Sequence, residues 1–337
     1  MTPPIGISSH APAMFAAVVL AVLAASSCLA QERAWKPGRN VEIIVGVGPG
    51  GGIDRTARRV QKIIQDERLL PVTATVVNKP GGGTTIAHAY LNQHAGDAHY
   101  FEISATSLLT NYILGRSPHS YKDFTPIAML YDEYIGFAVR SDSPLKTAAD
   151  LLRTLKNDPA ALPIGIASSA GNTNHIAAAL AAKRAGGDAK KLKIVVFNSG
   201  GESMTALLGD HVALVVTPSA NTIRHLQSGR MRVLAVAAPQ RLSGPLAVVP
   251  TWKELGADIV VANWRPVIGP KGLSSAQVAF WEEVFARITR TEEWKDEVDK
   301  AGGVNHYMKS GELKKYFETQ HAEFKATLAD LGLAKQQ

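Results

Sequence analysis

The chain has 337 residues, with 36 Lys and Arg against 29 Asp and Glu, which gives a formal net charge of +7. This length suggests about two domains, and a hydrophobic share of 46% excludes an intrinsically disordered chain. The single cysteine, Cys28, excludes a disulfide scaffold and a cysteine-based metal site, and an aromatic share of 7% argues against a nucleic-acid stacking platform.

The first thirty residues are typical of an export signal. An apolar run at positions 14–25 (MFAAVVLAVLAA) is too short to span a membrane but has the length of a signal-peptide core. Small residues at Cys28 and Ala30 predict cleavage after Ala30, although no Lys or Arg precedes the run and Met14 is a second candidate start. A lipid anchor on Cys28 is the competing interpretation. We expect residues 1–30 to be a signal peptide and the mature protein to be periplasmic.

The next part of the chain repeats a pattern of strand, glycine-rich loop and helix. β-Branched apolar runs predict the strands, and helical spacing of apolar residues follows each glycine cluster. In order, the predicted elements are strand 41–47, loop 48–52, helix 54–65, strand 71–77, loop 78–83, helix 84–92 and strand 100–105. This order is typical of an α/β protein with a parallel sheet.

The rest of the chain continues the pattern with shorter strands. Residues 127–139 are expected to be extended, and Thr147 with Asp150 forms a capping box that opens a helix ending near Lys156. The later predicted strands are 164–167, 194–197, 212–216 and 233–238, and the later predicted helices are 175–185, 202–208, a short one ending near 227, 276–289, 292–301 and 312–331.

Six or more of these strands end in a loop of Gly, Ser, Thr or Asn that leads into a helix. In open α/β sheets such loops collect along the carboxyl edge of the sheet, where ligands bind. They present unpaired backbone N–H groups and positive helix ends, so they can hold an anion without Lys or Arg. Ordinary helix capping explains any one of them, but several at equivalent positions favour an anion site.

One glycine cluster fits the dinucleotide-binding fingerprint without its usual context. Residues 46–51 match G-x-G-x-x-G after a strand, but the next predicted strand is followed by Asn78 instead of the acidic residue that binds ribose hydroxyls. The ten histidines show no metal-binding spacing, so neither a metal site nor a cofactor is predicted. His175 is expected to be a helix cap or a surface residue. The densest basic stretch, residues 183–193, has no aromatic residue, which disfavours nucleic-acid binding.

Three short motifs resemble those of penicillin-binding serine acylases. Residues 143–146 (SPLK), 219–221 (SAN) and 309–311 (KSG) occur in the order that these enzymes use. Their contexts differ, because Ser143 precedes a proline in a linker and Ser310 is expected to cap the last helix. A periplasmic serine acylase or hydrolase is therefore kept as the alternative function.

Eight segments, spread over nearly all of the mature chain, carry a resemblance to one known family. They are 41–58 (VEIIVGVGPGGGIDRTAR), 78–84 (NKPGGGT), 121–127 (YKDFTPI), 168–175 (SSAGNTNH), 198–208, 229–236, 249–251 and 263–264. Together they resemble the tripartite tricarboxylate transporter receptor family, the TctC or Bug type of extracytoplasmic solute-binding proteins.

The resemblance implies a two-lobed α/β fold, the periplasmic-binding-protein fold of type II-like architecture. Each lobe would be a central β-sheet flanked by helices, with the ligand cleft between the lobes. We expect lobe 1 to comprise residues 31–134 plus 239–337, and lobe 2 residues 135–238. Hinge closure would trap the ligand between them.

The resemblance also implies a receptor and not an enzyme. Its ligand would be a small carboxylate: a di- or tricarboxylate, an amino acid or an aromatic acid. The partner would be the membrane permease of a tripartite tricarboxylate-type transporter, and a sensor subunit that presents ligand to a membrane kinase is the alternative. A monomer is expected, without cofactor, metal or nucleic acid.

Carried over position by position, the family's binding loops fall at six strand ends. The predicted ligand-binding residues are Gly50, Gly51, Gly52, Asp54, Gly82, Gly83, Thr84, Ser104, Thr106, Ser107, Ala170, Asn172, Thr173, Ser199, Gly200, Pro218, Ser219, Asn221, Trp264 and Arg265. Asp54 would receive a ligand hydroxyl, amine or bridging water, or else simply favour the first turn of its helix.

The sequence departs from the family pattern at three places. Gly48 stands where the family usually has Pro, and Asn198 and Ser199 replace a usual Tyr-Lys or similar pair. The third departure is Trp264-Arg265-Pro266, which replaces a usual run of Trp, an apolar residue and Gly. Arg265 is a candidate counter-ion, since Arg can grip a carboxylate with two hydrogen bonds. An exposed surface arginine is the other interpretation.

Overall fold

The computed structural model describes residues 35–50, 52–167 and 169–335. The predicted signal peptide, with Cys28 and the cleavage point after Ala30, lies outside the described residues, as does the predicted site residue Gly51. Pro37–Gln337 forms one compact unit.

Strands and helices alternate along the described chain, as the sequence predicts. The strands are β1 (Val41–Val45), β2 (Ala74–Asn78), β3 (Tyr100–Ile103), β4 (Phe124–Arg140), β5 (Pro163–Ala167), β6 (Lys193–Phe197), β7 (Leu214–Pro218), β8 (Met231–Val236), β9 (Ala262–Pro270) and β10 (Gly303–Lys309). The helices are α1 (Gly52–Asp66), α2 (Thr85–Asn92), α3 (Ser107–Ile113), α4 (Ala148–Asn157), α5 (Thr173–Ala185), α6 (Gly200–Leu208), α7 (Ile223–Gln227), α8 (Ser275–Ile288), α9 (Glu292–Lys300) and α10 (Ser310–Asp330). In the described ranges, no helix has the length and apolar character that crossing a membrane requires.

The strands pair in the order β2-β1-β3-β9-β4-β7-β5-β6, and β8 and β10 also pair with β4. Strand β1 is parallel to β2 and β3, and β5 is parallel to β6 and β7. These two parallel groups confirm the α/β class. The 17-residue strand β4 runs antiparallel to β7, β8, β9 and β10, so it joins the two groups. The lobe boundaries expected from the sequence stay a prediction.

Local sequence signals explain most helix starts. The capping box at α4 is confirmed: the Thr147 hydroxyl accepts the Asp150 N–H at 3.2 Å, and the Asp150 carboxylate accepts the Thr147 N–H at 2.9 Å. At α10 the expected cap is shifted by one residue. Lys309 occupies the N-cap position and Ser310 is the first helical residue, its N–H donating to Glu282.

Strands β9 and β10 and helix α3 were not predicted. Strand β9 contains Pro266 and Pro270, which interior strands normally exclude because proline has no N–H to donate. The β4 register shifts between Met129 and Tyr131, beside the partner of Pro266, so an irregularity in the ladder accommodates the proline. Strand β10 is mostly polar and pairs only with β4, which hides it from a hydrophobic-pattern search.

Large aromatic side chains fill the core on both sides of β4. The indoles of Trp252, Trp264, Trp281 and Trp294 are fully buried. Phe137, near the carboxyl end of β4, meets Trp252 edge to face with ring centroids 5.0 Å apart. Core packing of the buried Phe137 ring therefore fixes strand β4.

We expect Phe137→Ala to lower the free energy of unfolding by about 3–5 kcal/mol, since it removes a fully buried ring and leaves a cavity beside Trp252. Urea unfolding followed by fluorescence measures this change. Val248→Ala is the control, because Val248 is 75% exposed and its loss should change the stability by about 0.5 kcal/mol or less. Similar effects of the two substitutions would contradict the packing described for β4.

Candidate functional site

A cleft of about 640 Å³ opens where the loops after six strands meet. Three of these loops follow the parallel strands β1, β2 and β3, and three follow β5, β6 and β7. The cleft is lined by Gly46, Val47, Gly48, Ile53, Pro80, Gly81, Gly83, Thr84, Ala105, Thr106, Ser107, Thr110, Asn111, Ala167, Ser169, Asn172, Thr173, Asn174, Asn198, Gly200, Pro218, Asn221, Asn263 and Arg265. The structure thus brings the strand-end loops together at the carboxyl edge of the parallel strands.

Half of the predicted site residues line this cleft. They are Gly83, Thr84, Thr106, Ser107, Asn172, Thr173, Gly200, Pro218, Asn221 and Arg265. Those that do not line it are Gly50, Gly52, Asp54, Gly82, Ser104, Ala170, Ser199, Ser219 and Trp264. Gly51 is outside the described residues.

Two predicted residues away from the lining have other partners instead. The Ser199 hydroxyl accepts the Glu202 N–H at 3.1 Å, so Ser199 is the N-cap of α6. Trp264 is fully buried and packs on Phe317, with ring centroids 5.4 Å apart. Both positions support the cleft from outside it.

Asp54 fastens the loop after β1 to its surroundings. Its buried carboxylate accepts hydrogen bonds from the Gly50 N–H at 2.8 Å, from Arg58 Nε at 2.9 Å and from Asn78 Nδ2 at 2.9 Å. Burial raises the pKa of Asp54, but the Arg58 bond and the two other bonds outweigh it, so the pKa is lowered and the carboxylate stays ionised. These three partners give Asp54 a positioning role.

The glycine loop after β2 has an unusual backbone. Four consecutive residues, Gly81, Gly82, Gly83 and Thr84, have positive φ angles of 124°, 57°, 62° and 87°. Glycine adopts such angles freely, but a β-branched threonine does so at a cost of about 1–3 kcal/mol. The Thr84 hydroxyl lies 3.2 Å from that of Ser107, and a Cβ on Gly46 would lie 2.7 Å from Thr84 Cβ. The close approach of Gly46 therefore holds this strained residue against the cleft.

Six asparagines line the cleft, and only two of them, Asn172 and Asn221, were among the predicted ligand-binding residues. The full set is Asn111, Asn172, Asn174, Asn198, Asn221 and Asn263. Some are used internally, since Asn221 Nδ2 donates to Thr217 at 2.9 Å and Asn172 caps α5. The side-chain amides of Asn174 and Asn198 make no hydrogen bond within the described ranges. In the sequence, the recurrence of Asn just after predicted strand ends was the signal that could have identified these residues.

Arg265 is buried, so the interpretation as an exposed surface arginine is wrong. Its Nη2 donates to the Glu133 carboxylate, and its Nη1 donates to the Asn263 carbonyl at 3.2 Å. Its Nε has no hydrogen-bond partner among the described residues. Burial lowers the pKa of Arg265, but the Glu133 charge outweighs burial and raises it overall, so the guanidinium stays charged.

The lining of the cleft is electropositive without a carboxylate. Within the described lining, Arg265 is the one charged side chain, and the lining contains no Asp or Glu. Helices α1, α2, α3, α5 and α6 begin at the cleft, marked by Ile53, Thr84, Ser107, Thr173 and Gly200. Because the first N–H groups of a helix have no partner within it, each of these ends carries partial positive charge.

His175 is buried, so of its two expected roles, helix cap or surface residue, the surface one is wrong. Its Nδ1 accepts the Gly171 N–H at 2.9 Å, which shapes the turn before α5. Burial lowers the pKa of His175, so the ring is neutral at pH 7, as an acceptor must be.

The three motifs of the serine-acylase alternative do not share a cavity. Asn221 lines the cleft, whereas Ser143 lines a separate pocket with Arg140 and Asp142. Lys309 precedes α10 and lines neither. A serine nucleophile and its lysine base must lie within hydrogen-bond reach, so this arrangement gives the acylase chemistry no support.

Comparison with known proteins gives a consistent result. Residues 56–333 match the family model described as tripartite tricarboxylate transporter family receptor. The "UPF0065 protein in gbd 5'region" of Cupriavidus necator is 27% identical over 95% of this chain and 96% of its own length.

Solved structures share the fold. A TctC solute-binding protein from Polaromonas has a TM-score of 0.71 at 26% identity, over 87% of this chain and 99% of that one. An R. palustris protein with adipate has a TM-score of 0.77 at 21% identity, over 88% and 99%. MatC from Rhodopseudomonas palustris with bound malate has a TM-score of 0.70 at 20% identity, over 87% and 99%. These likenesses confirm the predicted periplasmic-binding-protein fold.

We expect Glu133→Gln to lower the free energy of unfolding by about 3–5 kcal/mol, because it leaves the buried Arg265 charge without its carboxylate. Glu293→Gln is the matched control: Glu293 pairs with Arg59 in a half-exposed position, where a lost pair costs about 1 kcal/mol or less. Urea unfolding of both variants tests the difference. Equal small losses would show that Arg265 is not held as a buried charge.

Proposed function

Because the chain belongs to the tripartite tricarboxylate transporter receptor family, we propose that it is a periplasmic receptor that captures a small polar carboxylate and delivers it to a membrane permease. The observation that carries this proposal is the lining of the cleft. Its described part combines five helix N-termini with one arginine and no carboxylate. Such a lining attracts an anion and presents no negative side chain that would repel it.

One ligand carboxylate binds at the loops after β1 and β2. The backbone there approaches closely, since Gly46, Gly81 and Gly83 line the cleft without side chains. The N–H groups that open α1 and α2 supply donors for its oxygens. Arg265 adds a positive charge to this part of the cleft, and Glu133 fixes its Nη2.

The remainder of the ligand is polar. The lining offers asparagine amides and the hydroxyls of Thr84, Thr106 and Ser107, and its described part contains no aromatic ring. Amides and hydroxyls pair with ligand hydroxyl, amine or amide groups, whereas an aromatic acid would leave them unpaired at a cost of about 1–3 kcal/mol each. The proposal therefore favours hydroxy- or amino-substituted carboxylates over aromatic acids.

Ligand capture is completed by closure. The loops after β5, β6 and β7 approach those after β1, β2 and β3 as the two lobes turn about β4, which excludes water from the bound anion. The receptor does not transform its ligand. The adipate and malate held by two proteins of this fold support a dicarboxylate as the first ligand to test.

Thermal unfolding of the purified protein against matched acids tests the proposal. A specific ligand at about 100 times its Kd adds about 2.7 kcal/mol of stability, a shift of a few degrees in Tm. We expect malate or aspartate to shift Tm more than succinate, which lacks the hydroxyl or amine, and benzoate to have no effect. A larger shift with benzoate would contradict the polar ligand, and shifts with neutral sugars alone would contradict the anion receptor.

Gly200→Ala should weaken the affinity for the best acid of that panel at least tenfold. A Cβ on Gly200 would lie 2.5 Å from Asn221 Nδ2, so the Asn221 amide must leave its place in the cleft. Gly201→Ala is the control on the same helix, because its Cβ meets nothing closer than the Ser199 hydroxyl at 3.9 Å. Alanine favours a helix over glycine by up to about 1 kcal/mol, so both variants should fold.

Isothermal titration calorimetry measures both affinities. Unchanged binding in Gly200→Ala would remove Asn221 and the start of α6 from the ligand site. Equal losses in both variants would point to a change in α6 and not to the cleft.

A further inference from the structure

A second cavity, of about 410 Å³, lies on the other face of strand β4. Side chains alternate along a strand, so neighbouring residues point to opposite faces. Asp132 and Tyr134 line this second cavity, while Glu133 between them contacts Arg265 in the ligand cleft. The remaining walls come from α5, β10, α10 and the segment before β9. The second cavity is therefore distinct from the cleft of the proposed function.

Asp132 carries a buried negative charge into this cavity. Its side chain is 5% exposed, and its Oδ2 accepts a hydrogen bond from His306 Nδ1 at 2.6 Å. Its Oδ1 is buried and meets no donor at normal hydrogen-bond distance, although the Tyr134 hydroxyl interacts with the Asp132 carboxylate. An ionised carboxylate in such a place costs free energy unless a donor meets its free oxygen.

Aromatic and aliphatic side chains complete the lining. Tyr134, Tyr316 and Phe324 supply rings, and Ile176 and Leu180 supply an apolar wall from α5. Burial, and after it the Asp132 charge, raises the pKa of Tyr134 and of Tyr316, so both rings are neutral over the physiological range. Rings beside a carboxylate attract a cation with a hydrocarbon body.

We propose that this cavity binds a small organic amine. The ammonium group donates to the Asp132 carboxylate, and the hydrocarbon part packs against the rings of Tyr316 and Phe324. The exposed Glu323 adds a second negative charge to the lining, and no Lys or Arg belongs to its described part. A carboxylate ligand, by contrast, would be repelled by both acidic groups.

The proton on His306 competes with the amine. The groups that face His306 are Asp132 and Tyr134 from β4 and Glu312 and Tyr316 from α10; the lining residues of α5 and of 260–262 do not titrate. The hydrogen bond to Asp132 raises the pKa of His306, so at slightly acid pH the protonated ring neutralises that carboxylate. Amine affinity should therefore rise as the pH increases from about 6 to about 8.

Isothermal titration calorimetry of the full chain with phenethylamine tests the proposal. We expect saturable binding of one equivalent, with at least tenfold weaker binding of the neutral analogue 2-phenylethanol. Asp132→Asn should weaken phenethylamine binding at least tenfold, and Leu180→Trp should block it by filling the cavity without touching the Asp132–His306 pair. Asp330→Asn is the matched control, because it removes one exposed carboxylate of α10 that does not line the cavity.

Three results would overturn the proposal: no phenethylamine binding, equal affinity for 2-phenylethanol, or unchanged binding in Asp132→Asn. Affinity that falls as the pH rises would also overturn it, because the His306 proton would then assist the amine. Carboxylate binding measured in the same samples keeps the two cavities apart. A protein that binds malate or aspartate but no phenethylamine refutes the amine site alone.

Discussion

Strand β4 lies between the two parallel groups, because it pairs with β7 of one group and with β9, which pairs with β3 of the other. The alternation of its side chains therefore decides what surrounds the middle of the molecule. One face carries Glu133, which holds Arg265 at the ligand cleft, and the other carries Asp132, which holds His306. A shift of one residue in the register of β4 would exchange these faces and bury both carboxylates against the wrong partners. The fully buried contact of Phe137 with Trp252 helps to fix that register.

The cleft gains its positive character mainly from backbone groups. Arg265 is the charged side chain in its described lining, but Glu133 offsets much of that charge. A buried ion pair of this kind adds little net stability, because removing both charges from water costs about as much as their attraction returns. The pair matters for geometry, because it fixes the guanidinium through Nη2. The Nε atom has no hydrogen-bond partner among the described residues. Helix N-termini supply donors that are already ordered before the ligand arrives.

Local sequence signals were sufficient to predict the repeating strand, loop and helix units, but they could not predict the contacts between these units. The β-branched runs, the glycine clusters and the Thr147 capping box act within a few residues, so strands, loops and helix starts could be predicted from them. The convergence of the strand-end loops followed from the parallel arrangement. Strand β9 could not be predicted, because Pro266 is accommodated by an irregularity in its partner strand β4. Burial of Arg265 could not be predicted either, because it depends on Glu133, 132 residues away in the sequence.

The proposed binding site, which is built largely from backbone donors, has an evolutionary consequence. Point substitutions change side chains, so the attraction for a carboxylate persists while the asparagines and hydroxyl residues of the loops are free to vary. Selection can then alter the ligand through a few loop residues, without rebuilding the sheet or the anion-binding helix ends. Proteins with this fold at 20–21% identity hold adipate in one case and malate in the other. Gene duplication followed by drift in the loops would thus generate a repertoire of receptors for different acids from one inherited scaffold.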